Sequence, residues 1–166
     1  MIIILDGPKR TGKSTIIQKI KELIPDSIEY QDRNIFGKII KFDNKSMIMS
    51  QLYLASLVNQ VVIFDRSYPS ECVYGQVYRN QFYNFNDEEQ IMNDSNALLV
   101  INLPPIEIVS QIQQEQNKNE VNLELIFKKF LEFTQKSIVK NLIINYDADY
   151  NFNIQRTIKI IKEWKK

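Results

Sequence analysis

The eight residues from Gly7 to Ser14, GPKRTGKS, constrain this chain more than any other stretch. An apolar run, Met1 to Asp6 (MIIILD), leads into them, and a helix-period pattern of Ile16, Ile17, Ile20, Leu23 and Ile24 follows until Pro25 ends it. The octet fits G-x-x-x-x-G-K-[ST], a loop that cradles phosphate between a buried strand and a helix, and its flanks are the ones this mechanism requires. Two glycines let the backbone wrap an anion closely, while successive amide N–H groups and the helix N-terminus supply positive potential. Lys13 is then placed to reach the β- and γ-phosphates of a bound triphosphate, and Ser14 to ligate Mg2+. Gly7, Lys9, Arg10, Thr11, Gly12, Lys13, Ser14 and Thr15 are the expected contacts to ATP and its metal. Arg10, held within the loop, is expected to stabilise charge on the transferring phosphoryl group.

Further apolar runs repeat the strand-to-helix alternation. Ser27 to Gln31, Val61 to Asp65, Ala97 to Leu103 and Leu142 to Tyr146 read as strands. Between them lie helical stretches from Ile35 or Ser46 to about Asn59, from Pro69 onward, from the acidic Asp87 to Glu89, from Ile106 to about Gln116, and from Val121 to Ile138. A last helix carries Ile154, Ile158, Ile161 and Trp164 on its inner face. This alternation predicts one α/β domain over residues 1–166, a five-stranded parallel sheet with helices on both faces. Ligands of such sheets bind at the carboxyl ends of the strands.

Composition removes several chemistries. The chain has no histidine and only Cys72, so zinc hydrolysis, Ser-His triads and internal disulfides are excluded. With 21 Lys and Arg against 20 Asp and Glu, no global field recruits nucleic acid or a membrane surface, and an anion site must be local. Met1 to Leu5 is too short for a signal segment and no run matches a membrane span, so a reducing, cytoplasmic setting is expected.

The second motif is VIFDRSYPSECVY, Val62 to Tyr74. Asp65 stands at a strand end, where a carboxylate can hold or orient Mg2+, and Arg66 beside it suits bidentate contact with a phosphate or an ion pair with Asp65. Together the two loops resemble the thymidylate kinase group of P-loop nucleotide kinases, whose third strand ends in D-R-Y-x-x-S-x-x-A-Y. Here that signature reads Asp65, Arg66 and Ser67, then Ser70, Val73 and Tyr74. The resemblance implies a three-layer P-loop kinase fold and phosphoryl transfer from ATP to a deoxynucleoside 5'-monophosphate. It places Arg66 on the acceptor phosphate and Tyr74 against the sugar. It also implies that Arg10 is the catalytic arginine, since the lid-like polar stretch from Gln111 to Asn122 contains no arginine. That stretch reads as a mobile lid over ATP or as an ordinary long loop. Homodimers are common in the group.

The sequence departs from that pattern at several positions. Lys9 stands where the group has an acidic residue that meets the acceptor's 3'-hydroxyl; an ammonium only donates, which points to an altered acceptor or a nearby phosphate. Ser46 to Gln60 lacks the arginine used on thymine, and Glu71 occupies a base-reading position. Gln51, Gln76, Tyr53, Tyr78, Phe82 and Tyr83 could form a base pocket or belong to the core. Asp32 and Arg33 separate two mechanisms: an anionic acceptor would need Arg33, whereas a hydroxyl acceptor, on a nucleoside or a modified base in DNA, would need Asp32 as base. A third alternative is a protein that binds nucleotide without transfer.

Overall fold

A computed structural model describes residues 1–31, 44–115, 121–145 and 150–164, with the side chains of 31, 44, 150–154 and 164 excepted. Asp32, Arg33, Lys118 and the segment after Asn145 that contains Tyr146 lie outside the described residues. The strands are β1 (Ile2–Asp6), β2 (Ile28–Gln31), β3 (Val62–Asp65), β4 (Leu98–Asn102) and β5 (Asn141–Ile144). The helices are α1 (Lys13–Leu23), α2 (Asn44–Ser56), α3 (Tyr68–Arg79), α4 (Asn86–Asp94), α5 (Ile106–Glu115), α6 (Leu123–Lys136) and α7 (Tyr150–Trp164).

The sheet runs in the order β2-β3-β1-β4-β5, and every neighbouring pair is parallel. Alternate side chains of the central strands feed two cores. Ile2, Ile4, Val62, Phe64, Leu99 and Ile101 face Ile48 and Leu52 of α2, Val73 of α3, Met92 of α4 and Phe130 of α6. Ile3, Leu5, Ile63, Leu98 and Val100 face Ile16, Ile17 and Ile20 of α1 and Ile161 of α7. The fold is therefore the expected three-layer α/β arrangement, with helices covering both faces. β1 and β4 are buried at all five positions each, which is why both read as unbroken apolar runs.

One segment differs from the sequence reading. β5 starts and ends earlier than Leu142 to Tyr146, because it lies at the sheet edge with Ile143 exposed, and hydrophobicity does not mark its ends. α5 ends at Glu115, close to the expected end at about Gln116, so the residues from Gln111 to Glu115 are helical, with Gln113 buried. Among the described residues no helix is long and apolar enough to cross a membrane.

Candidate functional site

β1 is the middle strand, so its carboxyl end opens the loop at the centre of the sheet's ligand-binding edge. Gly7 leaves the strand at φ 133°, and a Cβ there would fall inside the contact distance of the Asn102 carbonyl oxygen at the end of β4. Gly12 closes the loop in the left-handed region at φ 76° and precedes α1. No side chain caps α1, and its first turn carries no acidic residue, so nothing in the helix competes with an incoming anion.

Lys13, buried, folds over the loop, donating to the Gly7 carbonyl at 3.3 Å, to the Pro8 carbonyl and to Thr11 Oγ1 at 3.2 Å. Thr11 Oγ1 donates in turn to the Pro8 carbonyl at 3.0 Å, and the Asn102 amide donates to the Thr11 carbonyl. The ammonium is thus held over the hollow of the loop by the loop's own oxygens.

A cavity of about 390 Å3 lies above this loop, lined by Lys9, Arg10, Thr11, Gly12, Lys13, Ser14, Thr15, Asp65, Arg66 and Ile112. All eight predicted loop contacts except Gly7 line it, and so do Asp65 and Arg66. Gly7 instead shapes the turn. Four cations and one carboxylate face one space in a chain whose overall net charge is only +1, so the positive field is local. Arg10 and Arg66 both sit at positive φ, 63° and 76°, a conformation that costs a non-glycine residue about 1–3 kcal/mol and persists only where surroundings impose it. Ser14 and Asp65 share this cavity, where a hydroxyl and a carboxylate together could hold one Mg2+.

The residue that imposes the Arg66 conformation is Asp6, which sequence reasoning passed over. Fully buried at the end of β1, it accepts from the Gly7 amide at 2.8 Å, the Ser67 amide at 3.2 Å, the Ser70 amide at 2.9 Å and the Ser70 hydroxyl at 2.5 Å. Arg66 Nη1 lies 3.7 Å from the same carboxylate and donates to the Gly7 carbonyl at 3.0 Å and to Ser70 Oγ at 2.8 Å. The ion pair expected within the Asp65-Arg66 dipeptide is therefore made with Asp6, and Asp65 is left facing the cavity. Ser70, which the family resemblance implies as a substrate contact, links Asp6 and Arg66. Asn102 is the second residue missed, a buried amide that ties β4 to the loop. The only signal for either was a polar residue ending an apolar run.

Tyr74 lies against two of the cations that line this cavity. Lys9 Nζ and Arg66 Cζ each lie 5.6 Å from its ring centroid. The ring stacks on Tyr78 and meets the edge of Phe130, which fixes it between α3 and α6. The other proposed base-pocket residues do not gather here. Gln76, Phe82 and Tyr83 line a different cavity of about 500 Å3 with Phe133 and Lys136. Gln51 lines a third, of about 400 Å3, with Tyr30 and Leu54, while Tyr53 is exposed. Glu71, at the base-reading position, is paired with Arg79.

No family model matches the chain, and no curated protein matches it by sequence. Solved structures do match in shape. YorR from Bacillus subtilis, in complex with phosphorylated GDP, superposes with a TM-score of 0.78 at 15% identity, covering 99% of this chain and 97% of that one. Deoxyadenosine kinase from M. mycoides with bound dATP gives 0.64 at 15% identity over 98% and 100%. Thymidylate kinase from Ehrlichia chaffeensis gives 0.55 at 17% identity over 98% of each chain. This chain therefore has, over nearly its whole length, the fold shared by thymidylate kinase and deoxyadenosine kinase, with the glycine-containing Gly7 to Ser14 loop at the end of its central strand.

Proposed function

We propose that this protein is an ATP-dependent nucleotide kinase that transfers the γ-phosphoryl group to a deoxynucleoside 5'-monophosphate, giving the diphosphate, in the manner of thymidylate kinase. The observation that carries this reading is the convergence of Lys13, Arg10, Asp65 and Arg66 on one cavity at the carboxyl ends of β1 and β3. Transfer of a phosphoryl group needs positioning and charge stabilisation more than covalent chemistry, and the lack of histidine is no obstacle to it. Lys13 and Arg10 neutralise the transferring group, Ser14 and Asp65 would hold Mg2+, which would supply further charge neutralisation, and Arg66 orients the acceptor. The single thiol suits a reducing cytoplasm, and the exposed Leu54 and Leu57 leave apolar surface for a homodimer.

One observation favours a second reading. The fold likeness to deoxyadenosine kinase, at a TM-score of 0.64, supports a hydroxyl acceptor such as a deoxynucleoside. Incubation with ATP, Mg2+ and a panel of deoxynucleoside monophosphates, nucleosides and modified DNA, followed by mass spectrometry, separates the two. Diphosphate formation supports the first; phosphate gained only by a hydroxyl supports the second. Loss of all transfer in Lys13→Met is expected in either case. Nucleotide binding without transfer to any acceptor would refute both.

A further inference from the structure

We infer that Lys9 is a specificity-determining residue which, with Arg66, grips an anionic group of the acceptor beside the Tyr74 ring, so that the site selects a phosphate ester over the corresponding neutral nucleoside. The inference rests on the kinase reading above and assigns the acceptor's charge. Lys9 and Arg66 come from different loops, yet their cationic centres stand at the same 5.6 Å from one ring centroid, and so no farther apart than twice that distance. Both line the cavity over the phosphate loop.

The ring acts as a spacer. Tyr74 is fixed by its stack on Tyr78 and its edge contact with Phe130. Arg66 is fixed by Gly7, Ser70 and the buried Asp6 carboxylate. Lys9 is exposed on the loop, so its long stem can carry the ammonium along the ring face toward a ligand. The negative face of an aromatic ring tolerates two cations beside it. A group with two or more anionic oxygens can accept from both, and places its ester near the transferring phosphate held by Lys13 and Arg10. Neither an ammonium nor a guanidinium can accept a proton or a hydrogen bond, so this half of the cavity offers a hydroxyl acceptor donors only.

The test uses the full chain saturated with a non-hydrolysable ATP analogue and Mg2+, titrated calorimetrically with a panel of deoxynucleoside monophosphates and the matching nucleosides. The wild type is expected to bind its best monophosphate at least about tenfold more tightly than the matching nucleoside, with an affinity that falls as salt rises. Lys9→Gln is expected to weaken that monophosphate by about tenfold, leave the nucleoside within about twofold, and flatten the salt dependence. Lys9→Arg restores most of the loss, which a purely steric role for the side chain would not predict. Under turnover the same loss should appear in the acceptor KM more than in kcat. Equal weakening of nucleoside and monophosphate, no effect of Lys9→Gln, preference for the nucleoside, or binding of neither overturns the inference. Any ATP-dependent transfer recorded alongside leaves the kinase reading standing, and its complete absence overturns that reading separately.

Discussion

Replacing Asp6 by Asn should damage the fold, whereas replacing Asp65 by Asn should damage only the chemistry, although both are aspartates at the ends of adjacent strands. Asp6 Oδ1 accepts from Gly7 and Ser70 Oγ, and Oδ2 accepts from two amides, those of Ser67 and Ser70. An amide nitrogen in the Oδ2 position would face both of those N–H donors, so the Asn must put its nitrogen in the Oδ1 position. There the Ser70 hydroxyl can turn to accept, but the buried Gly7 amide loses its acceptor, at about 1–3 kcal/mol. Loss of the charge facing the half-buried Arg66 adds about 1–2 kcal/mol. The sum, about 2–5 kcal/mol, corresponds in a chain of 166 residues to a Tm lower by about 5–15 °C. Asp65→Asn removes a cavity-facing charge outside that network; its Tm should stay within about 2 °C of wild type, while Mg2+-dependent nucleotide affinity falls about tenfold or more. Thermal circular dichroism and nucleotide titration with and without Mg2+ measure the two effects. A wild-type Tm for Asp6→Asn, or equal destabilisation by both changes, would refute the reasoning.

Three other predictions follow from single positions. Gly7→Ala brings a methyl group into the Asn102 carbonyl and forces alanine to φ 133°, so we expect a loss of roughly 3 kcal/mol or more, seen as a depressed Tm or an unfolded product; a wild-type melt would contradict the close approach. Burial, reinforced by Glu89, Asp6, Glu71 and Glu88, pushes the Cys72 thiol up to about 12, so at about pH 8 it should resist thiol reagents in the native protein and react at once in concentrated guanidinium; rapid native labelling would contradict this. Glu88 is fully buried, and burial raises its carboxyl above the ordinary range against the opposing pull of Lys45 and its own backbone N–H. Its protonated form is the one the fold accommodates, so its contribution is present below the unfolded pKa and lost as pH rises through the folded one. Glu88→Gln should therefore raise Tm at about pH 8, with the gain closing toward about pH 4; a constant gain across that range would exclude titration as the cause.

The parts of the site that follow from local chemistry were legible in the sequence. Gly7, Gly12, Lys13 and Ser14 announce their loop through spacing alone, and β1 and β4 announce themselves because burial on both faces leaves no polar position. What depends on which elements meet was not legible. Asp6 reads as the polar end of a strand until Ser67 and Ser70 are brought over it by α3, and Asn102 does so until β4 lies beside β1. The inner face of α2 was hidden for another reason. Ile48, Leu52 and Ala55 are buried while Tyr53 and Leu54 are exposed, so apolar residues run round the helix and no stripe marks the core side.

The Asp6 carboxylate gives the candidate site a mechanical property as well as a chemical one. It rivets the turn that would grasp the donor to the start of the helix that would meet the acceptor, with the carboxylate itself fully buried. The two halves thus keep a common register whatever they hold, and a lineage seeking a new acceptor could reshape the rim at Lys9 and Tyr74 while leaving the rivet untouched.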